Sequence, residues 1–295
     1  MKVLIDIGHP AHVHLFSNLS ALLTASGHEI LFVTKSEPEI QRLIAHYKIQ
    51  HVSLGRKRRG LLQKYLYQPL FLIKLWNISR KSAPDLSTGV SVSLPFITKL
   101  TGVPSIVLDD DDVSVTPTFA KYANRASTIL TPDALKKEER GSNHLTYKGY
   151  HELAYLHPKR FKPDPSVLKK IKIKENEQYF VVRFNSFKAH HDTGQSGMSF
   201  EDKETLVDRL EKFGKVFIST EGSDSLYSNN ISEITDPWEI HSLIYYATLF
   251  VGESQTMTSE AAVLGTPALK CNTFAGRISV PNELENKYGL CYSYQ

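Results

Sequence analysis

The chain has 295 residues, 41% of them hydrophobic and 22% charged, a composition that excludes a disordered protein and favours two globular domains of about 150 residues each. Its 35 basic and 31 acidic residues leave a net charge of +4, which suits a phosphorylated ligand or an anionic membrane face and, without a recognised nucleic-acid module, argues against nucleic acid as a partner. Cys271 and Cys291 are the only cysteines, so a disulfide framework and a cysteine zinc site are excluded and a cytoplasmic setting is expected.

Apolar runs rich in β-branched residues alternate with segments of helical period, the pattern of parallel sheets covered by helices. Val3–Ile7 reads as a buried strand, not as the leader of a signal peptide. A Gly8-His9-Pro10 turn follows. Phe16, Leu19 and Leu23 then recur at helical spacing until Gly27 ends the helix, and Ile30–Val33 begins the next strand. The segment GHPAHVHLF (Gly8–Phe16) places three imidazoles on the first strand-to-helix turn. A neutral His12, with a pKa of about 6.5, suits general-base work on a hydroxyl, with His9 and His14 as second choices. The same residues also read as helix-capping or packing histidines. A metal site is the third reading, but no fourth ligand stands nearby to close a tetrahedral set.

Strands are expected at Val52–Leu54, Asp85–Thr88, Ser105–Leu108 and Thr128–Leu130, with helices between them. The basic run RKRRG (Arg56–Gly60) precedes LLQKYLYQPLFLIKLW (Leu61–Trp76). Its most apolar part, Tyr65–Ile73, is bracketed by Lys64 and Lys74 and is too short to span a bilayer. Cations beside aliphatic and aromatic residues suit peripheral contact with the inner face of a membrane. The alternative is a buried helix beside a solvated or phosphate-facing loop. Asp109–Asp112 follows the strand Ser105–Leu108 and sets four acids at the carboxyl edge of a sheet, where mutual repulsion would raise at least one pKa. Asp109 and Asp110 are the candidate catalytic groups here, assisting His12, orienting an acceptor or acting as the base. The other reading is a solvated loop with capping aspartates. A first domain over 1–156 is expected, then a linker over 157–177 marked by Pro158, Pro163 and Pro165 among lysines, then a second domain over 178–295.

In the second domain Tyr179–Phe184 reads as a strand, Glu201–Lys212 as a helix and Val216–Ser219 as a strand. A helix around Trp238–Ala247, the strand Thr248–Val251, a helix over Ser254–Leu264 and the strand Pro267–Lys270 follow. Arg183, with Asn185 and Ser186 after it, is placed to clamp a phosphate by charge-assisted hydrogen bonds, or is a surface arginine. The loop Lys188–Gly197, with His190 and His191, reads as a flap over the ligand. In VGESQTMTSEAAVLGTPAL (Val251–Leu269) a buried strand ends at Gly252, Ser254 caps a helix, and Met257, Ala261 and Leu264 form one apolar face. The N–H groups of that helix's first turn, over Gln255, Thr256 and Met257, and its positive dipole end make an anion site suited to a diphosphate. Glu260, about two turns along the helix, would accept hydrogen bonds from ribose hydroxyls, or is solvated on a surface helix.

The string SEAAVLGTPAL resembles the carboxy-domain signature of glycosyltransferase-B enzymes and of UDP-N-acetylglucosamine 2-epimerases. That resemblance implies Glu260 on ribose and Ser254, Gln255 and Thr256 on the phosphates, with Glu253-Ser254-Gln255 standing where those enzymes commonly have Ser-Gly. GHPAHVHLF resembles the opening turn of the lipid II-forming N-acetylglucosaminyltransferases and aligns His12 with their histidine. YKGYHELAYL (Tyr147–Leu156), VGESQTMTSEAAVLGTPA and NELENKYGL resemble a bacterial and archaeal family of unestablished function regarded as glycosyltransferase-B-like, over nearly the whole chain. The resemblance implies an α/β fold of two Rossmann-like domains whose parallel sheets face across a cleft. It further implies an enzyme without metal or cofactor that uses a UDP-sugar as donor substrate and a lipid-linked, cell-envelope or polysaccharide acceptor. The rivals are an epimerase resting on the acidic run and a non-catalytic sugar-nucleotide binder. Glycosyltransferase-B proteins usually continue into helices beyond the strand that precedes Gln295, so a shortened carboxy-terminal domain is expected.

Overall fold

A computed structural model describes the chain except for residues 57–60, 175–176, 186–196, 221–230, 274 and 295, and the side chains of 61–65 and 232–233. Residues Met1–Tyr155 and Leu156–Gln295 form two units, each built on its own parallel sheet.

The first unit runs β1 (Lys2–Ile7), α1 (Pro10–Ala25), β2 (Glu29–Ser36), α2 (Pro38–His46), β3 (His51–Arg56), α3 (Leu61–Ser82), β4 (Leu86–Gly89) and α4 (Leu94–Thr101). It continues with β5 (Ser105–Leu108), α5 (Pro117–Ala123), β6 (Thr128–Pro132) and β7 (His144–Tyr147), and a short α6 (Leu153–Leu156) stands at the boundary. The strand order is β3-β2-β1-β4-β5-β6-β7, and every pairing is parallel. Parallel strands covered on both faces need apolar residues at successive positions rather than alternate ones. Val3, Leu4, Ile5 and Ile7 in β1 are accordingly all buried. Leu4, Val33, Val107 and Ile129 from the sheet close one core with Phe71 and Leu75 of α3 and Leu94 and Ile97 of α4. The edge strand β7 escapes the apolar-run criterion: it pairs on one side only, with β6, and Leu145 is exposed.

The second unit contains α7 (Ser166–Lys170), β8 (Tyr179–Phe184), α8 (Phe200–Glu211), β9 (Lys215–Thr220), α9 (Ile231–Ile234) and α10 (Ile240–Tyr246). It ends with β10 (Leu249–Gly252), α11 (Gln255–Leu264), β11 (Ala268–Cys271), α12 (Ser279–Asn286) and β12 (Cys291–Tyr294). The order is β12-β11-β10-β8-β9. The lysine- and proline-rich stretch 157–177 holds α7, which buries Val167, followed by a buried Ile171, so part of it packs within this unit. Phe180, Val182, Phe184, Val216 and Ile218 from the sheet pack with Val207 of α8.

Both orders reverse direction once, between β1 and β4 and between β8 and β10. At such a reversal the connections leave in opposite directions and open a crevice at the carboxyl ends of the strands, where open α/β sheets bind ligands. The second crevice constrains its strands tightly. Gly252 pairs with Arg183 in register, and a Cβ on it would lie 2.9 Å from Arg183 Cβ and 3.0 Å from the Arg183 carbonyl. Gly252→Ala is therefore expected to lower stability by about 1–3 kcal/mol, read from chemical denaturation. An unchanged midpoint would show that β8 and β10 separate freely there.

Candidate functional site

At the crevice of the second unit, β10 ends and α11 begins within three residues. Ser254 has extended backbone and its Oγ accepts the Met257 N–H at 3.3 Å, so it caps the helix as expected. The cap thereby engages the Met257 N–H. Gln255 and Thr256, at the first two helical positions, carry N–H groups that no earlier turn of the helix can serve. Arg183 lies in β8 and not on a surface loop, and its Nη1 donates to Ser219 Oγ at 2.6 Å. Ser186, His190 and His191 lie outside the described residues.

Glu260 is buried on the face of α11 toward α10, with Oε1 3.0 Å from His241 Nε2. This excludes the solvated surface-helix reading in the structure as it stands. His241, absent from the sequence-based candidates, orients that carboxylate. Its signal in the sequence was weak, because an imidazole on a helix is ordinarily a packing or surface residue and only the α10–α11 contact pairs it with an acid.

Glu253 was also missed. Its buried carboxylate accepts the backbone N–H of Asn185 at 2.7 Å and of Met198 at 2.7 Å, with Lys203 Nζ at 3.4 Å. Its own carbonyl accepts from Asn272 Nδ2 at 2.7 Å. Burial raises the pKa of Glu253, while the two backbone donors and Lys203 oppose the rise. Glu253 thus ties the start of the segment after β8 to the segment before α8. Asn185 meets this network through its backbone, and its Oδ1 is buried with no hydrogen-bond partner among the described residues.

At the crevice of the first unit the three imidazoles separate by role. His9 is the N-cap of α1, its Nδ1 accepting from the Ala11 N–H at 3.2 Å, and Pro10 follows inside the first turn. His14 is buried, with Nδ1 3.1 Å from the Tyr47 hydroxyl and its ring stacked on Tyr155. His12 Nδ1 accepts the Gly8 N–H at 3.3 Å. In the neutral ring that bond places the proton on Nε2 and the lone pair on Nδ1, which can take a proton only when the Gly8 N–H gives way. Among the described residues no group of three or more His, Cys, Asp or Glu side chains is arranged to hold a metal ion.

The acidic run after β5 also divides. Asp109 is buried and ion-paired with buried Arg140, Nη1 to Oδ2 at 2.5 Å, and a second Arg140 nitrogen donates to the Asp111 carbonyl. Asp109 is thus held as a buried counter-ion to Arg140. Burial pushes its carboxyl up to about 6, Arg140 pulling it down and Asp110 adding to the rise. One raised aspartate was expected, but desolvation is the first cause and repulsion a lesser one.

Asp110 takes a different course. Burial opposes its charge, yet His151 and then His12 hold its pKa below the ordinary aspartate value. His151 Nδ1 stands 3.5 Å from Asp110 Oδ2. Burial likewise works against a charge on His151, and Asp110, with Glu152 and Asp109, raises its pKa nevertheless. The Tyr147 ring stacks on His151 at 6.1 Å and 15°. The Tyr147 hydroxyl and His151 Nε2 are both buried without a hydrogen-bond partner among the described residues. Tyr147 and His151 belong to the string Tyr147–Leu156 and carry no catalytic signal in the sequence. Tyr147 ends β7 and His151 follows it, two places from β5 in the sheet, and only the strand order brings them to the acidic run.

Each unit therefore presents polar chemistry at the carboxyl edge of its sheet: an imidazole–carboxylate group in the first and a helix amino end with a buried Glu–His pair in the second. The Methanocaldococcus jannaschii UDP-GlcNAc 2-epimerase, solved in complex with UDP-GlcNAc and UDP, is similar with a TM-score of 0.69 at 12% identity, covering 100% of this chain and 89% of that one. The glycosyltransferase SsfS6 of Streptomyces sp. SF2575 is similar with a TM-score of 0.58 at 12% identity, covering 99% of this chain and 87% of that one. These likenesses are of fold, and the architecture is that of the glycosyltransferase-B proteins. An uncharacterized protein of Methanocaldococcus jannaschii is 24% identical over 285 residues, 92% of this chain and 82% of its own length. The model of a family described as a protein of unknown function, DUF354, matches residues 1–284, and the chain belongs to that family.

Proposed function

We propose that the chain is a nucleotide-sugar-dependent glycosyltransferase that takes a UDP-sugar as donor and passes the sugar to a cell-envelope or polysaccharide acceptor. The observation that carries this reading is His12, with its basic nitrogen defined by the Gly8 N–H and the Asp110 carboxylate within its electrostatic reach. An imidazole beside a carboxylate is suited to draw the proton from an acceptor hydroxyl, because the carboxylate stabilises the imidazolium that forms. His12 Nδ1 takes that proton as the hydroxyl oxygen bonds to the anomeric carbon. The bond from that carbon to the diphosphate oxygen breaks, and the diphosphate leaves with the electron pair. In the second unit the N–H groups of Gln255 and Thr256, the amino end of α11 and Arg183 meet the charge on the departing diphosphate. Glu260, oriented by His241, receives the ribose hydroxyls. UDP as the nucleotide is supported by the similar structures solved with UDP and UDP-GlcNAc.

Two measurements test it. Calorimetry with UDP is expected to give binding that Glu260→Gln weakens by about 10- to 100-fold, the range of a hydrogen bond to a charged group. The glutamine keeps an acceptor for His241, so thermal stability should change little. Unaltered UDP affinity in that variant would remove Glu260 from the site. UDP release from UDP-GlcNAc should require an added acceptor. Release of UDP with a free epimerised sugar, and no acceptor present, would instead assign the epimerase reaction.

A further inference from the structure

Ten of the 35 lysines and arginines, and none of the 31 acidic residues, fall between Ile40 and Pro84. That stretch carries +10 and the rest of the chain −6, so the net charge of +4 conceals a strongly polarised distribution. The helix α3 occupies its second half and has two apolar faces. One face buries Phe71 and Leu75 in the core of the first unit. The other presents Leu66, Leu70 and Ile73, spaced one turn apart and exposed at 63%, 50% and 53%. Packing on a core accounts for one apolar stripe on a helix and leaves the second without a purpose inside the fold. Farther along α3, Arg80 and Lys81 are exposed. A cavity of about 310 Å³ adjoins the stripe, lined by Leu54, Tyr67, Leu70 and Ile73 with Arg56 and Lys74. Lys74 Nζ is held beside it by the Leu54 carbonyl at 3.1 Å.

We propose that this face of α3 docks on an anionic phospholipid bilayer. Leu66, Leu70 and Ile73 enter the boundary between headgroups and acyl chains, while Arg56, Lys74, Arg80 and Lys81 meet lipid phosphates. Among the described residues no helix is long and apolar enough to cross a membrane, so α3 lies in the interface. Two further observations favour this occupant. Nucleic acid would engage the cations but leave three aliphatic side chains in water. A second copy would bring Arg56, Lys74, Arg80 and Lys81 against the same cations of its partner, and like charges at an interface oppose association. The inference stands on exposure and charge in the first unit and needs no nucleotide, so its failure would leave the donor reading untouched.

Flotation with vesicles of phosphatidylcholine alone, and of phosphatidylcholine mixed with phosphatidylglycerol, tests it on the full chain. Association is expected with the mixed vesicles only and should weaken as salt is raised, since surface charges are screened. The variant Leu66→Ser/Leu70→Ser/Ile73→Ser should lose at least about tenfold in association, because the apolar area it would insert is gone, while UDP binding stays at the wild-type level. The charge variant Arg56→Gln/Lys81→Gln should weaken association on its own and supplies the readout if the triple variant does not fold. Absence of flotation with mixed vesicles would overturn the proposal. So would flotation unaffected by both variants, or oligonucleotide binding of the wild type in place of vesicle binding. A wild-type dimer that the triple variant dissociates, with no flotation by either protein, would assign the stripe to a second copy and overturn it as well.

Discussion

His12→Ala is expected to lower kcat for the proposed sugar transfer by about 10²- to 10⁴-fold, the contribution of one positioned general base, while UDP affinity, which the proposal places in the second unit, is expected to stay unchanged. The geometry explains why the loss falls on kcat. His12 Nδ1 carries the lone pair, and the Gly8 N–H bond it accepts is long at 3.3 Å, so an incoming hydroxyl can compete for that nitrogen. His9 and His14 cannot substitute, one being committed to the cap of α1 and the other buried between Tyr47 and Tyr155. In the wild type the acidic limb of kcat/KM should follow an imidazole. Asp110→Asn should move that limb to lower pH, because a neighbouring carboxylate favours the imidazolium and its removal disfavours it. Full turnover in His12→Ala together with loss of turnover in Asp110→Asn would transfer the role of base to Asp110.

Arg140→Met should cost about 3–5 kcal/mol of folding stability near neutral pH, the range for stranding one member of a buried ion pair. Arg140 is 2% exposed and Asp109 2%, so neither charge can turn to water when its partner is lost. The loss has a defined pH dependence. The Asp109 carboxyl is held up at about 6, against 3.8 for an unperturbed aspartate, so the folded protein binds this proton more tightly than the open chain does. Its contribution to stability is complete below the unfolded value and is lost as pH rises through about 6. Without Arg140 the carboxyl rises further, and the deficit of the variant should grow from about pH 4 to neutrality. The double variant Asp109→Asn/Arg140→Met should recover most of the loss, because no buried charge remains. Denaturation midpoints over that pH range check both statements. A deficit independent of pH, or a double variant no better than the single one, would show that Arg140 acts through packing alone.

Local patterns marked the carboxyl edges of both sheets because they rest on short-range physics. An apolar run such as Val3–Ile7 can be satisfied only by burial on two faces, and the structure places it inside the first sheet. Ser254 before Gln255–Leu264 meets the needs of an unpaired helix start, and its Oγ performs that cap. The residues left without a role illustrate the opposite case. Glu253 stands beside the candidate serine, but its two backbone donors come from residues 55 and 68 positions away in the chain. Arg140 lies in a polar loop, and the partner that makes its burial possible, Asp109, stands 31 residues away.

The sequence by itself determined the alternating α/β architecture, the turns that carry His12 and Ser254, and the polarised charge of the Ile40–Pro84 stretch. Periodicity, capping and composition act over a few residues and can be read along the chain. Only the tertiary structure decided which polar groups meet: Asp109 with Arg140, Asp110 with His151, and Glu260 with His241. It also decided which apolar residues of α3 face the core and which face solvent. The physical reason is that strand order and helix packing set these partnerships. A buried charge is tolerated only beside a partner, and that partner's distance along the chain carries no signal of its own.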